Sequence, residues 1–407
     1  VRVVLFTGKG GVGKTTLAAA TAASLARSGR KVLVVSTDPA HSLGDAFEVE
    51  LGGEPVELEA GLYAAHVDAR TLLDGAWARL QGHLSTLLAG AGVDELVADE
   101  LTVLPGVDDM LALGEVRRLA ESGLWEVVVV DCGPTAETLR LLGLPEAFSA
   151  YLERLFPAHR RAVRGLLTGL AGAGRDAQPA WDRAVDALDA LAEQLTGLRD
   201  LLAAPETSIR LVLTPERVVV AETRRTLTAL ALHGLRVDGL VANRVLPEAP
   251  ASLRGPAGRW LRERHAEQRR VLADLEVLPV ALRVAEYTAS EPTGLPALHE
   301  LARSLYEADD PAATPDEVAQ PLLQVRRTAG SGTSPDSAFE LVVALPGAGQ
   351  GQLDITRIDD ELAVTAGGTR RVLALPAVLR RCIATGAQLD GDDLRVAFVP
   401  DPAVWLR

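Results

Sequence analysis

Near-continuous runs of valine and leucine punctuate the first three-quarters of the chain: VRVVLFT at 1–7, KVLVVST at 31–37, EVVVVD at 126–131, IRLVLT at 209–214 and RVDGLVAN at 236–243. Runs of this kind predict strands buried on both faces, as in a parallel sheet covered by helices. Helix-length amphipathic segments separate them, which predicts an α/β, doubly wound and mainly parallel sheet over residues 1–308. Two longer helical stretches, 69–122 and 145–203, read as helical insertions forming a subdomain. In the second, Trp181, Val185, Leu188, Leu191, Leu195, Leu198 and Leu202 recur three or four apart, a stripe on one helix face. Such a stripe either packs onto its own domain or belongs to a movable layer that offers an apolar groove to a client. The pattern alone does not choose between them.

From about residue 309 the texture changes. DDPAATPDEVAQPLLQVRRTAGSGTSPDS carries four prolines and ends in glycine, serine and threonine, which predicts a linker over 309–336. Beyond it, FELVVALPG, QLDITRI, ELAVTAG, TRRVLALP and DLRVAFVP are short β-like runs separated by turn residues. They predict a small all-β, sandwich-like domain at 337–407.

Composition narrows the function classes. The 407 residues are 48% apolar and 24% charged, with a net charge of −14, a globular balance that argues against a broad nucleic-acid footprint. No window approaches 18 uninterrupted apolar residues, so no stable membrane insertion is expected. The chain opens directly on a strand-like run, and a cytoplasmic protein is expected. Cys132 and Cys382 are the two cysteines and form no C-x-x-C pair, and the seven histidines lack metal-ligand spacing.

The chemistry is concentrated in GKGGVGKTT, Gly8 to Thr16. It satisfies G-x-x-x-x-G-K-[ST], follows an expected strand and opens an expected helix, the context of a phosphate-binding loop. Gly8, Gly10, Gly11, Val12 and Gly13 would present backbone N–H groups to phosphate oxygens at a helix N-terminus. Lys14 would reach the β- and γ-phosphates, Thr15 would ligate Mg²⁺ and Thr16 would add to the cradle. Asp38 stands at the end of the second strand, placed to orient an attacking water, with His41 a contact in the same loop. Asp131 ends the VVVV strand, where a carboxylate would hold Mg²⁺ through water, and the GPT that follows would sense the γ-phosphate through Pro134. One residue is left without a task. The chain has three lysines against 38 arginines, and a second lysine, Lys9, lies inside this nine-residue loop.

Taken together, KGGVGKTT, STDPAHSLGDAF, DCGPTAETLRLL, LTPERVVVAETRR, NRVLP and SEPTGLPALHELA resemble the ATPases of arsenite pumps and of tail-anchored membrane-protein targeting, over residues 1–308. The resemblance implies ATP as nucleotide, Asn243 as the residue that recognises adenine, and Lys9 as a signature lysine that crosses a homodimer interface to the partner's nucleotide. It implies Asp38 and Asp131 as the two switch aspartates. Cys132, Gly133, Ala136 and Glu137 depart from the family's switch-II pattern, whereas Asp131, Pro134 and Thr135 keep it. The cysteines of an inter-subunit zinc site and of arsenite binding are missing. The one methionine, Met110, leaves no methionine-rich groove. The C-terminal runs look like an α-crystallin-type small heat-shock domain, with a chaperone-like role implied.

The expectation is therefore a Mg²⁺-dependent ATPase whose homodimer opens and closes, coupled to hydrophobic or tail-anchored client proteins. Two alternatives stand beside it: an arsenite or metalloid efflux ATPase subunit, and a regulatory nucleotide switch without a hydrophobic client.

Overall fold

A computed structural model describes residues 1–68, 107–133, 193–194, 196–314, 323–349 and 353–405. Eight strands form the first sheet: β1 (Arg2–Gly8), β2 (Val32–Ser36), β3 (Val56–Glu59), β4 (Leu62–His66), β5 (Val127–Asp131), β6 (Thr207–Leu213), β7 (Val237–Val245) and β8 (Leu282–Glu286). Their order is β3-β4-β2-β5-β1-β6-β7-β8. Neighbours run parallel except β3, which is antiparallel to β4. The five strands expected from apolar runs are all present. Those left out, β3, β4 and β8, lie toward the two edges, where β3 and β8 are largely half-buried or exposed. An edge strand needs fewer apolar residues, so its signal is weak.

The helices between them are α1 (Lys14–Arg27), α2 (Ser42–Phe47), α3 (Val107–Glu121), α4 (Arg217–Leu232), α5 (Gly255–Glu276) and α6 (Gly294–Tyr306). α1 is rich in alanine, and Ala18, Ala19, Ala20, Ala22 and Ala23 are fully buried. Small side chains let the helix approach the sheet closely, which fixes the loop before it. α6 packs on α1, where Thr21 Oγ1 and Tyr306 Oη share a 2.7 Å hydrogen bond. The sequence steps from β1 out to β2 on one side and later to β6 on the other. The carboxyl ends of β1, β2, β5, β6 and β7 thus share one rim of the sheet, where doubly wound folds hold ligands.

The opposite rim carries a buried charge cluster. The Asp238 carboxylate accepts from Arg2 at 2.9 Å, from Arg210 Nε at 3.2 Å and from Ser208 Oγ at 2.6 Å. Arg2 also donates to Ala312 O and Arg210 to Pro311 O. Arg30 and Arg283 pair with Asp310 and Asp309. Residues 309–314, expected as the start of a linker, are therefore bound to the first sheet's amino-terminal rim.

The second unit comprises β9 (Leu323–Ala329), β10 (Ala338–Ala344), β11 (Leu353–Ile358), β12 (Glu361–Ala366), β13 (Thr369–Ala374), a short α7 (Ala377–Arg380), β14 (Cys382–Asp390) and β15 (Asp393–Pro400). A four-stranded sheet, β14-β15-β10-β9, and a three-stranded one, β11-β12-β13, are both antiparallel. They close on one core that includes Phe339, Leu341, Leu362, Val364, Leu373 and Phe398. Strand β9 lies inside the stretch expected as linker: its partly exposed LQVRRTA gives little apolar signal, and pairing with β10 decides its conformation. Leu232, the last residue of α4, is wholly buried in this second core. Thr228 Oγ1 donates to Pro346 O at 2.8 Å, and the Arg371 guanidinium donates to Leu232 O. The β unit is thus seated on the end of α4.

Of the helical insertions, α3 and the helical residues 196–203 are described. Leu198 and Leu202 from the predicted stripe are buried against the main core, so that end of the stripe packs on its own domain. Trp181, Val185, Leu188, Leu191 and Leu195 lie outside the described residues, and with them the proposed groove. Among the described residues no helix is long and apolar enough to cross a membrane.

Candidate active site

The loop after β1 is fixed by what its glycines touch. A Cβ on Gly8 would come within 2.1 Å of Val212 O in β6, so no side chain fits there. Gly13 stands at the N-cap of α1 with φ 93, a left-handed conformation that glycine adopts without steric cost. Its missing Cβ leaves room for the Asn243 amide, which a side chain would meet at 2.3 Å. Asn243 Nδ2 donates to Val12 O at 2.8 Å and its Oδ1 accepts from Arg244 N–H at 2.9 Å. The end of β7 is thus tied to the phosphate loop. Arg244 has φ 57, an uncommon backbone state for a residue other than glycine. Lys14 opens α1 and is 5% exposed, and Thr15 and Thr16 are half-buried behind it. Gly10 and Gly11 are exposed.

Asp131 is fully buried at the end of β5. Its Oδ2 accepts from Ser36 Oγ at 3.0 Å, while its Oδ1, also buried, has no hydrogen-bond partner among the described residues. Burial pushes its pKa up to about 6, against the opposing pull of the Thr15 and Ser36 hydroxyls and the Lys14 charge. A buried carboxylate with an orphaned oxygen beside a threonine hydroxyl suits a hydrated Mg²⁺, which would supply the missing positive partner. Thr37 N–H donates to Asp131 O at 2.9 Å, and Asp38 N–H to Ser36 Oγ at 3.3 Å. Ser36 therefore touches both aspartates. Asp38, half-buried, accepts Ala40 N–H at Oδ1, 3.0 Å. Lys14, Thr15, Asp38, Asp131 and Asn243 are gathered around one loop. Pro134, Thr135, Ala136 and Glu137 lie outside the described residues; Cys132 and Gly133 are buried.

Lys9 stands apart from that group. Its Nζ lies 3.6 Å from Glu222 Oε2 of α4, with the two side chains 45% and 38% exposed. His41 has φ 56 and stacks on His66 at the end of β4, ring centroids 3.9 Å apart. Burial first, and His41 beside it, pull the His66 pKa below its usual range, with Asp68 and Asp38 acting the other way. An unfolded chain would protonate this histidine near pH ~6.5, while the folded one resists. The contribution of His66 to stability is accordingly expected to fall as pH drops below that value, opposite in sign to that of Asp131. From pH 7.5 to 5.5 the melting temperature of His66→Phe should shift upward relative to that of the wild type. Equal slopes would remove His66 from the pH response.

Ser36, Glu222, His66 and Arg244 were not singled out in the sequence. Glu222 lies within the quoted LTPERVVVAETRR, but nothing local marks it as a partner for a residue 213 positions earlier. Among the described residues no group of three or more His, Cys, Asp or Glu side chains forms a metal centre. Cys132 and Cys382 are buried, one in each core.

With this geometry in place, the profile described as "Anion-transporting ATPase" matches residues 1–307. The chain belongs to that family. It is an ATPase with a nucleotide-binding first domain, and an "HSP20-like domain found in ArsA" matches residues 336–398. Protein Rv2184c of Mycobacterium tuberculosis is 41% identical over 99% of this chain and 97% of its own length. A Chlorobaculum tepidum relative, provisionally named an arsenical pump-driving ATPase, is 32% identical over 93% of this chain and 91% of its own. An "ATPase ASNA1 homolog" of Trypanosoma cruzi is 29% identical over 74% of this chain and 90% of its own.

Proposed function

We propose that this ATPase is a Mg²⁺-dependent homodimer that opens and closes with its nucleotide and handles hydrophobic protein segments in the cytoplasm. The observation that carries the catalytic part is the meeting of Lys14, Thr15, Asp38 and Asp131 around one glycine-built loop. Loop N–H groups and Lys14 bind the β- and γ-phosphates, with Thr16 and Pro134 completing the cradle. Thr15, and Asp131 through water, would hold Mg²⁺, which when bound neutralises charge on the phosphate oxygens. Asp38 orients a water in line with the γ-phosphorus. The new bond forms from that water oxygen to phosphorus as the bond to the ADP oxygen breaks, and the leaving oxygen stays with ADP. Asn243 would recognise adenine through the amide capacity left over from Val12 and Arg244. Lys9, whose partner in its own subunit is a weak surface contact, would leave Glu222 and reach the other subunit's nucleotide.

The HSP20-like unit seated on α4 supports handling of clients over ion export, and the name of the Chlorobaculum relative supports an efflux reading. A pull-down with Asp38→Asn discriminates. The variant should hydrolyse ATP about 10²-fold slower and accumulate as a closed, ATP-bound form. Recovery of proteins with exposed apolar helices supports client handling. Recovery at background would favour a regulatory switch, and stimulation of wild-type turnover by arsenite would favour efflux.

A further inference from the structure

His66 has no role in the chemistry described so far, yet it sits under the loop that carries Asp38. It is 4% exposed and lies in register beside Ser36 of β2. Its backbone N–H donates to Gly52 O at 2.8 Å. Its ring meets the His41 ring at a 3.9 Å centroid distance with the planes tilted by 31°. The buried Nδ1 has no hydrogen-bond partner among the described residues, and the ring meets the loop through its stack on His41. His41 in turn holds a left-handed backbone, φ 56. A non-glycine residue keeps such a conformation only where its surroundings over-determine it.

The loop between β2 and α2 is therefore fixed at both ends. At its start, Ser36 and Thr37 are bonded to Asp131. At its far end, His41 rests on His66. Asp38 lies between these anchors, and its carboxylate is turned back onto Ala40 N–H. We propose that His66 is a positioning residue for ATP hydrolysis: its buried ring is the platform on which His41 stacks, and that stack holds the loop so that Asp38 faces the attacking water. This inference rests on the water-orienting role given to Asp38 above. The stack lies at the end of β4, whereas the nucleotide is bound by the loop after β1. Loss of the platform thus misaligns water without weakening ATP.

The experiment is steady-state kinetics on the full chain. His66→Ala should lower kcat about ten- to a hundredfold, the scale of a small misplacement near the reacting atoms, with KM for ATP within about twofold of wild type. His66→Phe keeps an aromatic face and needs no partner for Nδ1, so it should restore most of kcat. His41→Ala, at an exposed position that folding tolerates, should reproduce the same kcat loss. In the double variant the two losses should not multiply. Wild-type kcat in His41→Ala, or a His66→Phe enzyme as slow as His66→Ala, would overturn the inference. Asp38→Asn separates the two claims. If it is slow while His41→Ala is not, the platform fails and Asp38 keeps its role. If Asp38→Asn turns over normally, the Asp38 role fails and the platform with it.

Discussion

Lys9→Ala is expected to abolish ATP-dependent dimerisation and to lower turnover about 10³-fold, the range seen when a positive charge supplied from a partner is removed in phosphoryl transfer. Binding of ATP to the isolated subunit should change little, because Lys14, the loop backbone and Asn243 remain. The geometry makes the release of Lys9 inexpensive. Its contact with Glu222 is 3.6 Å long between two well-exposed side chains, a pair worth about 0–1 kcal/mol in water. Glu222→Gln should therefore act in the opposite sense and raise the dimer fraction at sub-saturating ATP. Light scattering with and without ATP, beside phosphate release, measures both. A Lys9→Ala protein that dimerises and hydrolyses like wild type would end the claim that the two subunits share their nucleotide sites.

The second large effect concerns stability. Asp238→Ala should destabilise the first domain by about 3–5 kcal/mol, the cost of leaving buried charge without its partner. Among the described residues Asp238 is the one carboxylate paired with Arg2 and Arg210, whose side chains are each 9% exposed. Removing it leaves two guanidinium groups facing each other with only neutral partners, the Ser208 and Tyr306 hydroxyls and backbone carbonyls, to hold them. Burial lowers the Arg2 pKa, and Asp238 acts the other way. Because Arg2 and Arg210 also bind Ala312 O and Pro311 O, residues 309–314 should become sensitive to protease in the variant. Urea unfolding at pH 7 gives the magnitude. A change within 1 kcal/mol would mean that water enters and solvates the arginines, and that the cluster is less buried than it looks.

Much of the candidate site was legible because it depends on local sequence. A phosphate loop needs glycines at fixed spacing, a lysine and a hydroxyl, and all stand within nine residues. The five buried parallel strands were legible for a similar reason: a strand covered on both faces must be apolar throughout, and VVVV cannot be mistaken for a surface segment. Asp38 and Asp131 followed because carboxylates at the ends of such strands share one rim whatever the details between them.

Other features were not local. The edge strands β3 and β8, and β4 beside β3, carry mixed residues, and β9 reads as linker until β10 pairs with it. Glu222 is one acid among many in a chain of net charge −14, and only the approach of α4 to the loop after β1 makes it the partner of Lys9. The stack of His41 on His66 joins residues 25 positions apart at the ends of different elements. The three-way meeting of Arg2, Arg210 and Asp238 has no sequence signature at all.

The sequence by itself thus determined the nucleotide chemistry and the two-part architecture, since both are written in short contiguous patterns whose physics is backbone geometry and hydrophobic burial. The tertiary structure decided which charges meet, which loop is braced and where the β unit sits. Those depend on distances between segments far apart along the chain, set by how close one helix can approach one sheet.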